Sequence, residues 1–148
     1  MKIGIGSDEK TLLTDHVLEE VGKMGHEIVL FGSLREEALP WPLVSEQLAR
    51  DVAEGKVDEG ILFCYTGTGA SIAANKVSGI RAALCRDAQT ARGARWWNNA
   101  NILVLSLRAT STEVSSEILD AWFSEKVKDG EEMFVKMVAE IEERTRKM

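Results

Sequence analysis

An α/β fold of three layers, α/β/α, with a five-stranded parallel sheet in the middle, is what this 148-residue sequence predicts. Three observations lead there. Five short apolar runs, at 2–6, 27–31, 60–64, 81–85 and 102–107, alternate with stretches of helical spacing; such alternation calls for crossover helices and parallel pairing. The third run passes through Gly67 and Gly69 directly into small helix-forming residues, the mark of a buried strand that turns sharply into a helix. No linker, repeat or low-complexity tract divides the chain, so residues 1–148 are read as a single domain, and 45% apolar content supports a real core.

The elements follow in order. Residues 2–6 form a short strand with Asp8 just past its end. Thr11 to Met24 sets Leu12, Leu13, Val17, Leu18, Val21 and Met24 at helical spacing, and Gly25 stops it. A strand over Glu27 to Phe31 leads into turn residues and charges at 32–40, and Trp41-Pro42 opens a helix whose apolar face carries Val44, Leu48 and Val52, ended by Gly55. Strands at Gly60 to Cys64, Arg81 to Cys85 and Ile102 to Leu107 bracket helices at about 70–76 and 87–97. Thr112 to Phe123 is helical, with Val114, Ile118, Ala121 and Trp122 apolar. A last helix, Glu131 to Lys147, carries a stripe of Met133, Phe134, Met137, Val138 and Ile141, more than a solvent-exposed tail should carry.

Charge and composition narrow the class. A formal net charge of −6 argues against nucleic acid or an anionic membrane as partner. No apolar run approaches a membrane span, and Met1-Lys2-Ile3-Gly4-Ile5 enters a strand rather than a signal peptide, so a cytoplasmic enzyme or binding protein is expected. Cys64 and Cys85 end successive strands and read as reduced thiols. His16 and His26 stand in no His/Cys cluster, so no metal site is expected.

The chemistry concentrates in Cys64-Tyr65-Thr66-Gly67-Thr68-Gly69-Ala70-Ser71, at the carboxyl end of a strand, where open α/β sheets bind ligands. Gly67 and Gly69 let successive amides converge on one point, and the Thr66, Thr68 and Ser71 hydroxyls add donors. The turn lacks the dinucleotide glycine spacing and no Gly-Lys-Ser/Thr follows, so neither a nucleotide fingerprint nor a P-loop is present. A thiol ending a strand is most often packing; a thiol beside an anion cradle is also what abstraction of a proton next to a carbonyl needs.

The stretch from Cys64 to Cys85, with its Thr-Gly-x-Gly-x-Ser-Ile-Ala-Ala-Asn-Lys-Val and Gly-Ile-Arg-Ala-Ala-Leu-Cys, closely resembles the ribose-5-phosphate isomerase B and galactose-6-phosphate isomerase family. Ile3 to Asp8 looks like that family's opening strand and Asn98 to Arg108 like its fifth, so roughly residues 1–125 align. The resemblance implies a Rossmann-like fold and a cofactor-independent aldose–ketose isomerase acting through an enediolate. Cys64 would be the base. Thr66 and the amides of Gly67, Thr68, Gly69, Ala70 and Ser71 would hold the substrate oxygens, Asp8 and Asn98 would orient hydroxyls, and Arg108 would lie near a phosphate. Some members place a glutamate base where this chain has Ala70, which leaves Cys64 as the base on this loop. The resemblance further implies a homodimer, or a tetramer, with the C-terminal helix (129–148) packing on the partner and completing its site.

The departures concern the substrate. Glu9 and Trp97 stand where the family has histidines, Trp41 where it has tyrosine, and Tyr65 where it has glycine. The two arginines that grip the sugar phosphate across the dimer are Glu131 and Val135 here. A carboxylate near a phosphate opposes binding by several kcal/mol in a partly buried site. The expected substrate therefore departs from ribose 5-phosphate; the alternative is a catalytically silent sugar-binding or regulatory paralogue.

Overall fold

The computed structural model describes residues 1–148. Five parallel strands, β1 (Lys2–Ser7), β2 (Glu27–Gly32), β3 (Glu59–Cys64), β4 (Ala82–Leu84) and β5 (Ile102–Ser106), form one sheet in the order β2-β1-β3-β5-β4. Helices α1 (Leu12–Lys23), α4 (Ala88–Asn98) and α5 (Thr112–Ser124) cover one face, and α2 (Trp41–Ala53) and α3 (Thr68–Ala74) the other. The last helix, α6 (Glu132–Arg146), lies outside the sandwich against α4. Three caps explain where helices begin: Thr11 exchanges side-chain and backbone bonds with Thr14, Asp87 accepts from the Thr90 N–H at 2.7 Å, and Ser111 accepts from the Val114 N–H at 3.1 Å.

Side-chain alternation in β3 sorts the two cores. Ile61 and Phe63 pack with α1, α4 and α5, whereas Leu62 and Cys64 pack with α2 and α3. Fully burying each such aliphatic or aromatic side chain contributes about 1.5–3 kcal/mol. Helix α2 presses close to the sheet because Gly60 offers no side chain; a Cβ there would fall on Leu48 Cδ2. A buried ion pair ties three elements together at the start of β3. Arg95 Nη2 meets Glu59 Oε1 at 2.8 Å, Trp122 Nε1 donates to Glu59 Oε2 at 2.7 Å, and the Arg95 guanidinium lies 4.8 Å from the Trp122 ring centroid.

Strand β4 is shorter than the expected 81–85 and forms an edge of the sheet. Its inward-facing groups belong to odd-numbered residues: the Cys85 N–H donates to Val104 O, and Arg81 O accepts from Asn101 and Ile102. Ala82 faces outward, and there the Asn75 side chain takes the place of a strand. Asn75 Oδ1 accepts from the Ala82 N–H at 2.8 Å, and Nδ2 donates to Ala82 O at 2.9 Å and Ser71 O at 3.0 Å.

Candidate active site

The loop after β3 is built around the Cys64 sulfur. Gly67 adopts φ +83°, a conformation glycine takes without strain, and this turns its N–H back toward Sγ at 3.2 Å, with the Ala70 N–H at 3.5 Å. Cys64 is 5% exposed, so its thiol is fixed rather than mobile. The Ser71 amide is taken by Gly67 O at 3.1 Å, while those of Thr68 and Gly69, in the first turn of α3, lie outside the helical ladder. Thr66 and Thr68 join their hydroxyls at 2.8 Å on the solvent side of the same loop. Expected as one cradle of amides, the loop thus has two jobs: the Gly67 and Ala70 amides hold the sulfur, and those of Thr68 and Gly69 between them have no main-chain partner.

Neighbouring strands bring more groups to this edge. Ser7 Oγ donates to Glu9 O at 2.5 Å and accepts from the Glu9 N–H at 3.1 Å, which fixes the turn carrying Asp8 and Glu9. Asp8 Oδ1 is buried without a hydrogen-bond partner, the one such side-chain atom in the protein. A carboxylate oxygen in that state is costly unless a ligand hydroxyl meets it. Arg108, past the end of β5, donates its N–H to Tyr65 O at 3.0 Å and sets its guanidinium 5.8 Å from the Tyr65 ring centroid, both side chains being exposed.

Two further residues of this edge, Ser106 and Trp41, are not singled out by sequence reasoning as site residues. Ser106 Oγ donates to Tyr65 O at 3.0 Å and accepts from the Ala109 N–H at 3.2 Å, pinning one loop to the next. The Trp41 ring lies over Gly69, where a Cβ would stand 3.0–3.1 Å from the indole carbons. Trp41 could be suspected from its departure from tyrosine beside Pro42; Ser106 carries no signal beyond ending a strand.

Trp97 and Asn98 lie elsewhere. Helix α4 runs against the strands, so its last turn comes down to the start of β5, whereas Cys64 is in register with Ser106 at that strand's end. Four strand steps separate these edges, ~13 Å. In one chain, therefore, Asp8, Glu9, Cys64, Thr66 to Ser71 and Arg108 share one edge, and Trp97 and Asn98 share the other.

At that second edge Trp97 and Asn98 line a groove of about 300 Å³ with Arg81, Phe134, Val135 and Val138. Helix α6 forms its outer wall. Both Glu142 carboxylate oxygens accept from the Gly79 N–H, at 3.0 and 3.3 Å, and Lys128 Nζ sits 3.7 Å from the Trp96 ring centroid. No residue of α6 is buried, and Met133, Phe134, Met137, Val138 and Ile141 remain 48–55% exposed.

Comparison with known proteins agrees with this architecture. The family described as Ribose/Galactose Isomerase matches residues 3–141. Ribose-5-phosphate isomerase B of Escherichia coli (strain K12) is 35% identical over 145 residues, 97% of this chain and 97% of that protein. The D-erythrulose-4-phosphate isomerase of Pectobacterium atrosepticum is 43% identical over 90 residues, 61% of this chain and 59% of its own length. Among solved structures, ribose-5-phosphate isomerase B of Clostridium thermocellum superposes with a TM-score of 0.91 at 37% identity, over 98% of this chain and 99% of its own.

Proposed function

The chain belongs to the ribose/galactose isomerase family and is an aldose–ketose isomerase of that type; from this premise we propose that Cys64 is its base and that its substrate is a sugar shorter than ribose 5-phosphate. The observation that carries the first part is the sulfur itself, held at a strand end by the Gly67 and Ala70 amides in the edge that also presents the unpartnered Asp8 oxygen. Cys64 Sγ takes the proton from C2 of the aldose and returns it to C1. Meanwhile the C1 oxygen, which gains charge in the enediolate, is met by the Thr68 and Gly69 amides and the Thr66 hydroxyl, and it takes up the proton that the C2 hydroxyl gives up as the ketone forms. Asp8 accepts from a substrate hydroxyl. Glu9, on the same turn, carries the acid/base work of the absent imidazole.

The site is completed by a second copy of the chain in a homodimer. Asn98 and Trp97 cannot reach Cys64 within one chain, and the groove that holds them is walled by the half-exposed apolar stripe of α6. A partner supplying that groove would close the pocket over the substrate. The shorter substrate is supported by the Trp97 indole, which fills space where the family has an imidazole. Replacement of two arginines by Glu131 and Val135 supports it too, as does the strong local likeness to an enzyme acting on a four-carbon sugar phosphate.

The test is a screen of aldoses and ketoses of four to six carbons, each with and without phosphate, with solvent deuterium read at C1 and C2. Four-carbon substrates should dominate, and ribose 5-phosphate should stay below about 10⁴ M⁻¹s⁻¹ in kcat/KM. Cys64→Ala should lose about a hundredfold or more in turnover while remaining folded. Undiminished deuterium exchange in that variant would remove Cys64 from the mechanism, and efficient turnover of ribose 5-phosphate would refute the shorter substrate.

A further inference from the structure

Arg81 is a half-buried cation without an ion-pair partner in the chain. Its Nε donates to Asn99 O at 2.8 Å and its Nη1 to Gly79 O at 3.4 Å, which leaves three of five N–H donors without a protein partner. Glu142 faces it from α6 but forms no ion pair with it, both oxygens being engaged by the Gly79 N–H. Burial pulls the guanidinium below arginine's ordinary pKa, and Glu142 only partly offsets this.

The surroundings concentrate that charge. Arg81 is the one ionisable side chain among the residues lining the 300 Å³ groove, whose walls are largely apolar through Ile80, Phe134, Val135 and Val138. Arg81 also lines the adjoining groove further along α6, where Lys76, Glu142 and Arg146 are the other charged residues. Asn98 and Trp97, which line both this groove and a second one along α4, likewise have no protein acceptor for their side-chain N–H groups, whereas Asn75 is saturated by Ala82 and Ser71. The unsatisfied groups are a guanidinium fork and neutral donors, and the nearest carboxylate, Glu142, is bonded to the Gly79 N–H rather than to Arg81. That is the complement of an oxyanion with several acceptor atoms.

We propose that Arg81 receives the anionic end of the sugar, a phosphate monoester, with Asn98 and Trp97 as neutral donors beside it. The anion is then gripped from the sheet edge rather than from α6, where Glu131 and Val135 can supply no cation. This inference rests on the reading of the groove as the half-site that a second copy lends to Cys64. It names Arg81 as the residue that decides between phosphorylated and unphosphorylated substrates.

The experiment compares the full-length protein with Arg81→Gln and Val135→Glu. The second variant keeps both main-chain bonds of Arg81 and sets a carboxylate on the same groove wall, so it answers even if Arg81→Gln does not fold. Calorimetric titration with inorganic phosphate should show binding weakened by about tenfold or more in each folded variant. With a four-carbon sugar phosphate, KM should rise about tenfold or more at nearly constant kcat, and the unphosphorylated sugar should show no such change. Unchanged phosphate affinity in the variants, or equal losses for both sugars, overturns the proposal. Phosphate binding that depends on Arg81 in a wild-type protein that isomerises nothing would uphold it and sink the catalytic reading instead. Turnover of the phosphorylated sugar that ignores both substitutions would do the reverse.

Discussion

Cys64 and Cys85 end neighbouring strands, and their surroundings separate them chemically. Cys64, 5% exposed, stands at the ligand edge with two amide N–H groups on its sulfur. Cys85 is 1% exposed, and burial, with Asp87 adding to it, pushes its thiol up to about 12. At pH 8 that leaves about one thiolate in 10⁴, and only the thiolate alkylates. Limited reaction with iodoacetamide should therefore label Cys64 and spare Cys85 until the protein unfolds, as read by peptide mass mapping. A Cys85 adduct on the native protein would contradict this environment. The Cys64 loop was legible in the sequence because Gly67 and Gly69 dictate a local backbone path. Trp41 and Ser106 were not, since their roles arise from approach across the fold, where spacing along the chain carries no information.

At the scale of elements, every strand and α-helix was readable from periodicity and turn signals, with ends displaced by one or two residues, whereas the short 3-10 turn at Ser33–Arg35 was read only as turn residues. Helix α3 starts at Thr68 rather than near 70 because the left-handed Gly67 completes the turn early. Strand β4 loses both ends of its expected run, since only Ala82 to Leu84 pair in register with β5. The Glu59–Arg95–Trp122 cluster was invisible, because an acidic strand residue and an arginine in a helix's last turn both read as surface. Their side chains are only 11% exposed. Arg95→Met leaves the Glu59 charge buried and strips bonds from Ala100 O and Glu125 O. It should cost about 3–5 kcal/mol in denaturant unfolding. A loss under about 1 kcal/mol, the range of exposed pairs, would mean the cluster is solvated.

For the whole molecule, the decisive fact is that candidate site residues occupy opposite ends of one sheet. Alternating strands and helices imply this, because a helix following a strand returns to the starting edge, and Asn98 closes such a helix. The resemblance put positions 131 and 135 across the dimer but did not say which chain supplies Trp97 and Asn98. Removal of residues 129–148 should abolish dimerisation or solubility, since it deletes the groove's outer wall and the stripe of half-exposed side chains. Sedimentation velocity reads the outcome. A well-behaved monomer of the full-length chain would contradict the shared site.

The Asn75 amide has a consequence for how copies of this chain meet. A parallel sheet whose last strand is open can recruit another strand, and repetition of that step produces filaments. Here the outward N–H and C=O of Ala82 are already occupied by a side chain that cannot itself be extended, so the register for a sixth strand is capped at its first rung. A strand adding at this edge would first have to displace Asn75 from Ala82, which weighs against sheet extension as a way for copies to join.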